Sequence, residues 1–202
     1  MLPSAVPIRY DTMQTMNETQ RNRISLNKFE VARRQLETAI AMYFNGGDVV
    51  SAHTLATAAL EVLRGLNNAL KGSPMVSDLE ASGIIRPDKL EDARRAVRGA
   101  QNFFKHADKD PTGTLDFNPD TTAFYILDGV EKYRELSRQN PPVMRVFALW
   151  FRVQWPEAFH FAGGEEAFLN ITRSFYSLND KAKFFAEFLP RYAAEEPKMQ
   201  SA

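Results

Sequence analysis

The stretch NKFEVARRQLETAIAMYFNGGDVVSAHTLATAALEVLRGLNNALKG, from Asn27 to Gly72, decides the fold class. Asn27, followed three residues on by Glu30, makes a capping box. Phe29, Ala32, Leu36, Ala39, Ile40 and Tyr43 then recur at three- and four-residue steps, so the spacing predicts an amphipathic helix that ends at Asn45-Gly46-Gly47. Asp48 stands where it can cap a second helix, with a stripe of Val49, Ala52, Ala56, Ala59, Leu60, Leu63, Leu66 and Leu70 before Gly72 supplies the stop. Only a tight turn separates the two, which makes them antiparallel neighbours.

Ahead of this stretch, residues 1–24 are polar and show no apolar period, and read as an arm without a core of its own. After a connection from Ser73 to Arg86, Pro87 suits a first helical turn. A third helix then runs from Asp88 through Leu90, Ala93, Val97, Ala100 and Phe104 to about Ala107. Gly99 inside it either permits a close helix contact or is tolerated. The segment Asp108 to Pro119 is rich in turn residues, Asn118-Pro119 opens a fourth helix carrying Ala123, Ile126, Leu127, Val130 and Tyr133, and Pro141-Pro142 ends it. Beyond lies an aromatic-rich tail. Val143 to Trp155 is apolar on nearly every side, with Arg145 and Arg152 as its charges, and therefore reads as a helix that is central or covered by a partner. A last helix holds Phe184, Phe185, Phe188 and Leu189. No strand alternation persists, and the expectation is an all-α, up-and-down bundle of four main helices. Its parts are a polar N-terminal arm over 1–24, the bundle over 25–137, and a helical C-terminal extension over 138–202.

Composition removes whole classes of function. The 202 residues carry 25 basic and 25 acidic side chains, so the surface as a whole is not tuned to polyanions and any nucleic-acid site is local. The absence of cysteine excludes disulfide scaffolds, thiolate metal sites and thiol catalysis. Met1-Leu2-Pro3-Ser4 has neither a basic n-region nor a long apolar run, and the expectation is a soluble cytoplasmic protein with no membrane partner. Phosphate-loop, dinucleotide and nucleophile-elbow patterns are missing. Asp108-Lys109-Asp110-Pro111-Thr112-Gly113 has the look of half a calcium loop, but the twelfth position is Pro119, so a turn is the better reading. No histidine pair has ligand spacing, and neither a metal nor a cofactor is expected.

Chemistry concentrates in Arg94-Arg95-Ala96-Val97-Arg98-Gly99-Ala100-Gln101-Asn102-Phe103-Phe104-Lys105-His106. On a helix Arg95, Arg98, Asn102 and His106 share one face. Two guanidinium groups, an amide and an imidazole in a row suit phosphodiester chemistry: imidazole moves a proton near neutral pH, and guanidinium holds a phosphate in bidentate fashion. The bland alternative is a solvated helix face whose histidine favours the helix dipole. Residues 81–110 carry seven cations against five anions, enough for a local anion site and little more. Glu61 either leans toward Arg94, Arg95 or Arg98 or is an ordinary exposed carboxylate, and His53 reads as a boundary residue bonded to a neighbour.

The run Lys28 to Leu66, followed by a helix ending Gln101-Asn102-Phe103-Phe104-Lys105-His106, resembles the HEPN superfamily of helical bundles. The resemblance covers Lys28 to Ser137 and leaves the tail from Arg138 unmatched. It implies two antiparallel helices, a third ending in an Arg-polar-x-x-x-His motif, and a fourth. Many members are metal-independent RNases of toxin–antitoxin and phage-defence systems, with Arg and His of two protomers facing each other across a dimer interface, and others bind without catalysis. By resemblance His106 is the motif acid/base and Asn102 the motif polar residue. Gln101 occupies the motif Arg position, which leaves Arg98 as the substitute cation one turn away. Arg94, Arg95 and Lys105 would then contact RNA phosphates. Losing a transition-state charge typically costs about 10²–10³ in rate, so the departure implies a weak or degenerate RNase or an RNA-binding relative. The implied partners are a second copy of the chain, RNA, and a cognate antitoxin or other protein. The alternative, from a different class, is a non-enzymatic helical module for protein–protein interaction, with the tail aromatics forming core or an interface.

Overall fold

The computed structural model describes residues 23–75, 99–106, 108, 110–155 and 180–199. Every regular element among them is an α-helix: α1 Lys28–Phe44, α2 Val49–Leu70, α3 over 99–105, α4 Thr121–Ser137, α5 Pro142–Gln154 and α6 Lys181–Met199. No helix among the described residues is long and apolar enough to cross a membrane. The arm over 1–24 and the extension over 138–202 fall partly, and the third helix before Gly99 wholly, outside the described residues.

The ends of α1 and α2 show how side chains write the first two elements. Asn27 Oδ1 accepts from the Glu30 backbone N–H at 2.9 Å, which satisfies one orphan donor of the first turn. Only half of the expected capping box forms, because the Glu30 carboxylate accepts from Arg34 at 2.8 Å instead. At the other end Gly47 N–H donates to Met42 O at 2.8 Å, with Gly46 at φ +67°, the left-handed stop that glycine adopts without strain. Asp48 Oδ1 then accepts from Ser51 N–H at 2.7 Å and opens α2.

Two boundaries differ from expectation. Lys71, at φ 54°, takes the left-handed position that ends α2. Gly72 is required for another reason, since a Cβ there would lie 2.1 Å from Asn67 Oδ1. Helix α4 stops at Ser137 through a left-handed Arg138, four residues ahead of the Pro141-Pro142 pair. Those prolines begin a helix: Pro142 is the first residue of α5, where its missing N–H costs nothing. Helix α6 runs on through Pro190, whose position and that of Ala186, the residue one turn earlier, both face solvent, so the lost backbone bond is open to water.

Helices α1 and α2 pack along each other, α4 lies against both, and α5 and α6 close the assembly on the side of α1. One cluster of buried residues joins them, from Leu36, Ile40 and Leu63 to Ile126, Phe147, Trp150 and Phe184. Phe44 is its aromatic centre, stacked on Phe185 at 4.9 Å and edge-on to Trp150 at 5.5 Å. The described tail aromatics Phe147, Trp150, Phe151, Phe184, Phe185 and Phe188 are thus core, which answers the choice between a central and a partner-covered α5. Gly129 lets α4 approach α1, because a Cβ there would meet Leu36 Cδ2 at 2.8 Å. Gly99 has no neighbour within 4 Å of such an atom, and among the described residues it makes no close contact.

Candidate functional site on helix α3

Helix α3 turns three different faces to its surroundings, and 3.6 residues per turn assigns each side chain to one. Phe104 points inward. Its ring stands edge-on to His53 of α2 at 5.6 Å and to Phe117 at 5.3 Å. A second face meets α2 at Glu61, where the Gln101 Nε2 amide donates to Oε1 and the Lys105 ammonium lies 3.3 Å from Oε2. Asn102, Phe103 and His106, within about 100° of arc, form the third face and are exposed. Phe103 keeps 38% of its surface in solvent, an aromatic ring offered outward beside an amide and an imidazole.

The structure brings some of the sequence-derived site residues together and separates others. Asn102 and His106 share the outer face, and His106 N–H donates to Asn102 O at 3.0 Å as the helix ends. Lys105 stands on the adjoining face, committed to Glu61. Arg94, Arg95 and Arg98 lie outside the described residues. Glu61 itself is 60% exposed and pairs with Lys105 and Gln101 among the described residues; the arginines toward which the sequence let it lean lie outside them.

His53 is the larger surprise. It is fully buried, where a boundary position was expected. Its Nδ1 shares a 3.1 Å hydrogen bond with Thr122 Oγ1, so a neighbour bond does form. Phe104, Phe117 and Tyr125 surround the ring edge-on at 5.0–5.6 Å. Nε2 has no hydrogen-bond partner among the described residues. Burial without a compensating charge pushes its pKa down to about 4, and the ring is neutral at physiological pH. Such a histidine holds α2, α3, α4 and the 110–120 segment to one another and has no access to a substrate.

Elsewhere a cleft of about 540 Å³ opens where the Asn45–Asp48 turn meets the first residues of α4 and α6. The Lys181 ammonium sits there 4.1 Å above the Tyr43 ring and 4.0 Å from Asp120 Oδ1, a cation already held by an aromatic face and a carboxylate. Sequence reasoning missed this cleft because its walls come from three distant stretches. The described residues contain no cluster of three or more groups able to hold a metal ion. Compared with family models, curated proteins and solved structures, the chain matches none of them.

Proposed function

We propose that the chain is a HEPN-like helical module that binds single-stranded RNA without cleaving it. One observation carries this reading: Gln101, which stands where the family resemblance places its arginine, is turned away from the outer face and bound to Glu61. The outer face then has an imidazole and an amide but no guanidinium among the described residues, and a carboxylate lies beside it. A neutral amide held by a carboxylate supplies no positive charge at the motif position for the extra negative charge of a phosphorane-like transition state. The outer face does suit an unstacked base. The exposed Phe103 ring gives a stacking surface, while Asn102 and His106 supply donors and acceptors for base edges or a 2′-hydroxyl.

Two measurements test the proposal together. Wild-type protein and His106→Ala, incubated with mixed RNA without metal, should both leave it at background; cleavage by wild type that the variant loses would replace this reading with a ribonuclease. Phe103→Ala should weaken binding to a 5′-hydroxyl single-stranded oligonucleotide by about tenfold, the lower part of the range for one base–aromatic stack, with an unchanged unfolding midpoint. Equal affinity of the two proteins would remove RNA as the ligand of this face.

A further inference from the structure

Arg145 and Arg152, seven residues apart in a helix without other charges, sit on one side of α5, and the structure gives that spacing a purpose. Both open into a groove of about 210 Å³ between α4, α5 and α6, together with Arg134, Glu131, Asn140 and Tyr192. The lining thus carries three guanidinium groups and one carboxylate. Glu131 is the carboxylate that positions two of them, with Arg134 on Oε2 and Arg152 at 3.3 Å from Oε1. Arg145 is fixed from the other wall: its guanidinium lies 4.1 Å over the Tyr192 ring and donates to Glu195, a mostly exposed residue at the rim. Val130, Ala148 and Leu149 give the groove an apolar floor, which lowers the local dielectric and strengthens any charge contact above it.

We propose that this groove binds a phosphomonoester group. Three guanidinium forks held by packing and by ion pairs present N–H donors in the planar geometry that matches phosphate oxygens, and each forms its ion pair through a single nitrogen, so further donors are left for an anion. The volume is below the range of pockets for drug-sized ligands, so the recognised unit is the compact phosphoryl group, with the rest of the ligand outside the groove. Two sources offer that group, a small phosphorylated metabolite and the 5′-phosphate of an RNA. The inference is independent of the α3 face, which shares no residue with the groove.

The test is titration of the full chain with inorganic phosphate, read by calorimetry and by thermal shift against chloride at equal ionic strength. Wild type should bind and be stabilised, and the double variant R134Q/R145Q should bind about tenfold more weakly or worse, the loss expected when charged hydrogen bonds are removed. Arg145→Lys, which keeps the charge and loses the fork, should fall between them and guards against a folding defect in the double variant. No phosphate-specific effect on wild type, or equal affinity in all three proteins, would overturn the site. A 5′-phosphorylated oligonucleotide that binds better than its 5′-hydroxyl twin, with the advantage lost in R134Q/R145Q, would make RNA the source. Equal binding of the twins, with phosphate binding retained, would make it a small phosphorylated molecule.

Discussion

Met75 and α3 are the described ends on either side of residues 76–98, here the exit and the return, and the two are held by opposite kinds of force. At the exit the hold is polar and centred on one buried cation. Lys132 of α4, only 3% exposed, donates through Nζ to Ser73 O at 2.9 Å, to Ser73 Oγ at 3.1 Å and to Glu135 at 2.8 Å. Asn67 adds a second donor to the same carbonyl, and Met75 is packed into the core beside it. At the return the hold inside is aromatic, Phe104 against the buried His53, and the polar part, Glu61 with Gln101 and Lys105, lies at the surface. The polar cluster at the exit fixes structure because the Lys132 ammonium is buried and its bonds are not open to replacement by water. The one at the return leaves α3 free to exchange its contacts for a ligand's.

The largest effect expected from this difference lies in pH. His53 has a folded pKa of about 4 against 6.5 in the open chain, so the unfolded state binds more protons between these values. Stability contributed by the neutral ring is present in full above pH 6.5 and is lost as the pH falls toward 4, by about 3 kcal/mol. Urea midpoints at pH 7, 5.5 and 4 should therefore fall steeply for wild type and less so for His53→Leu; parallel profiles would show that the cage does not exclude the proton. Glu135 acts in a lower window. Its carboxyl is held down to about 2 by hydrogen bonds from Lys132 and Ser73, so its contribution is present above the usual 4.5 and disappears below it.

Breaking the exit cluster comes next in size. Lys132→Met keeps the buried stem and removes the ammonium, leaving Ser73 O to Asn67 alone and Glu135 without its cation. The expected loss is about 2 kcal/mol, below the usual figure for a broken buried pair because Glu135 is itself exposed to water. Chemical denaturation at pH 7 checks it, and a change under about 0.5 kcal/mol would put the exit on the same footing as an ordinary surface pair.

What the sequence showed and what it hid follow the same division between local and long-range causes. Asn27, Asp48 and the Asn45-Gly46-Gly47 turn act within a few residues of themselves, and they mark α1 and α2 where the structure has them. The nearly continuous apolar run of Val143 to Trp155 likewise made a helix legible, because burial on most sides leaves a composition that needs no partner to read. Pro141-Pro142 misled, since a proline pair between two apolar runs signals a boundary without saying which helix owns it. The identity of the site residues depended on contacts 40 or more positions apart. Glu61 meets Gln101 and Lys105, and His53 meets Thr122 at a separation of 69. Nothing in either short motif distinguishes a histidine inside a cage from one at a helix boundary, nor a lysine spent on a carboxylate from one open to phosphate.

Glu61 gives the smallest stability effect and the sharpest separation of the two ends. Glu61→Gln keeps an acceptor for the Gln101 amide and removes the charge that holds Lys105. An exposed pair of this kind contributes little, so the unfolding free energy should change by no more than about 0.5 kcal/mol. RNA affinity should move much further in proportion, because the Lys105 ammonium, released beside Asn102 and His106, becomes available to a phosphate. For a single-stranded RNA the slope of log affinity against log salt should then steepen by about 0.7, the increment for one more neutralised phosphate. A salt series on both proteins measures it. Should the variant instead unfold like Lys132→Met and bind RNA no better, the Glu61 contacts would hold α3 in the way that Lys132 holds Ser73, and Lys105 would not serve the outer face as a cation.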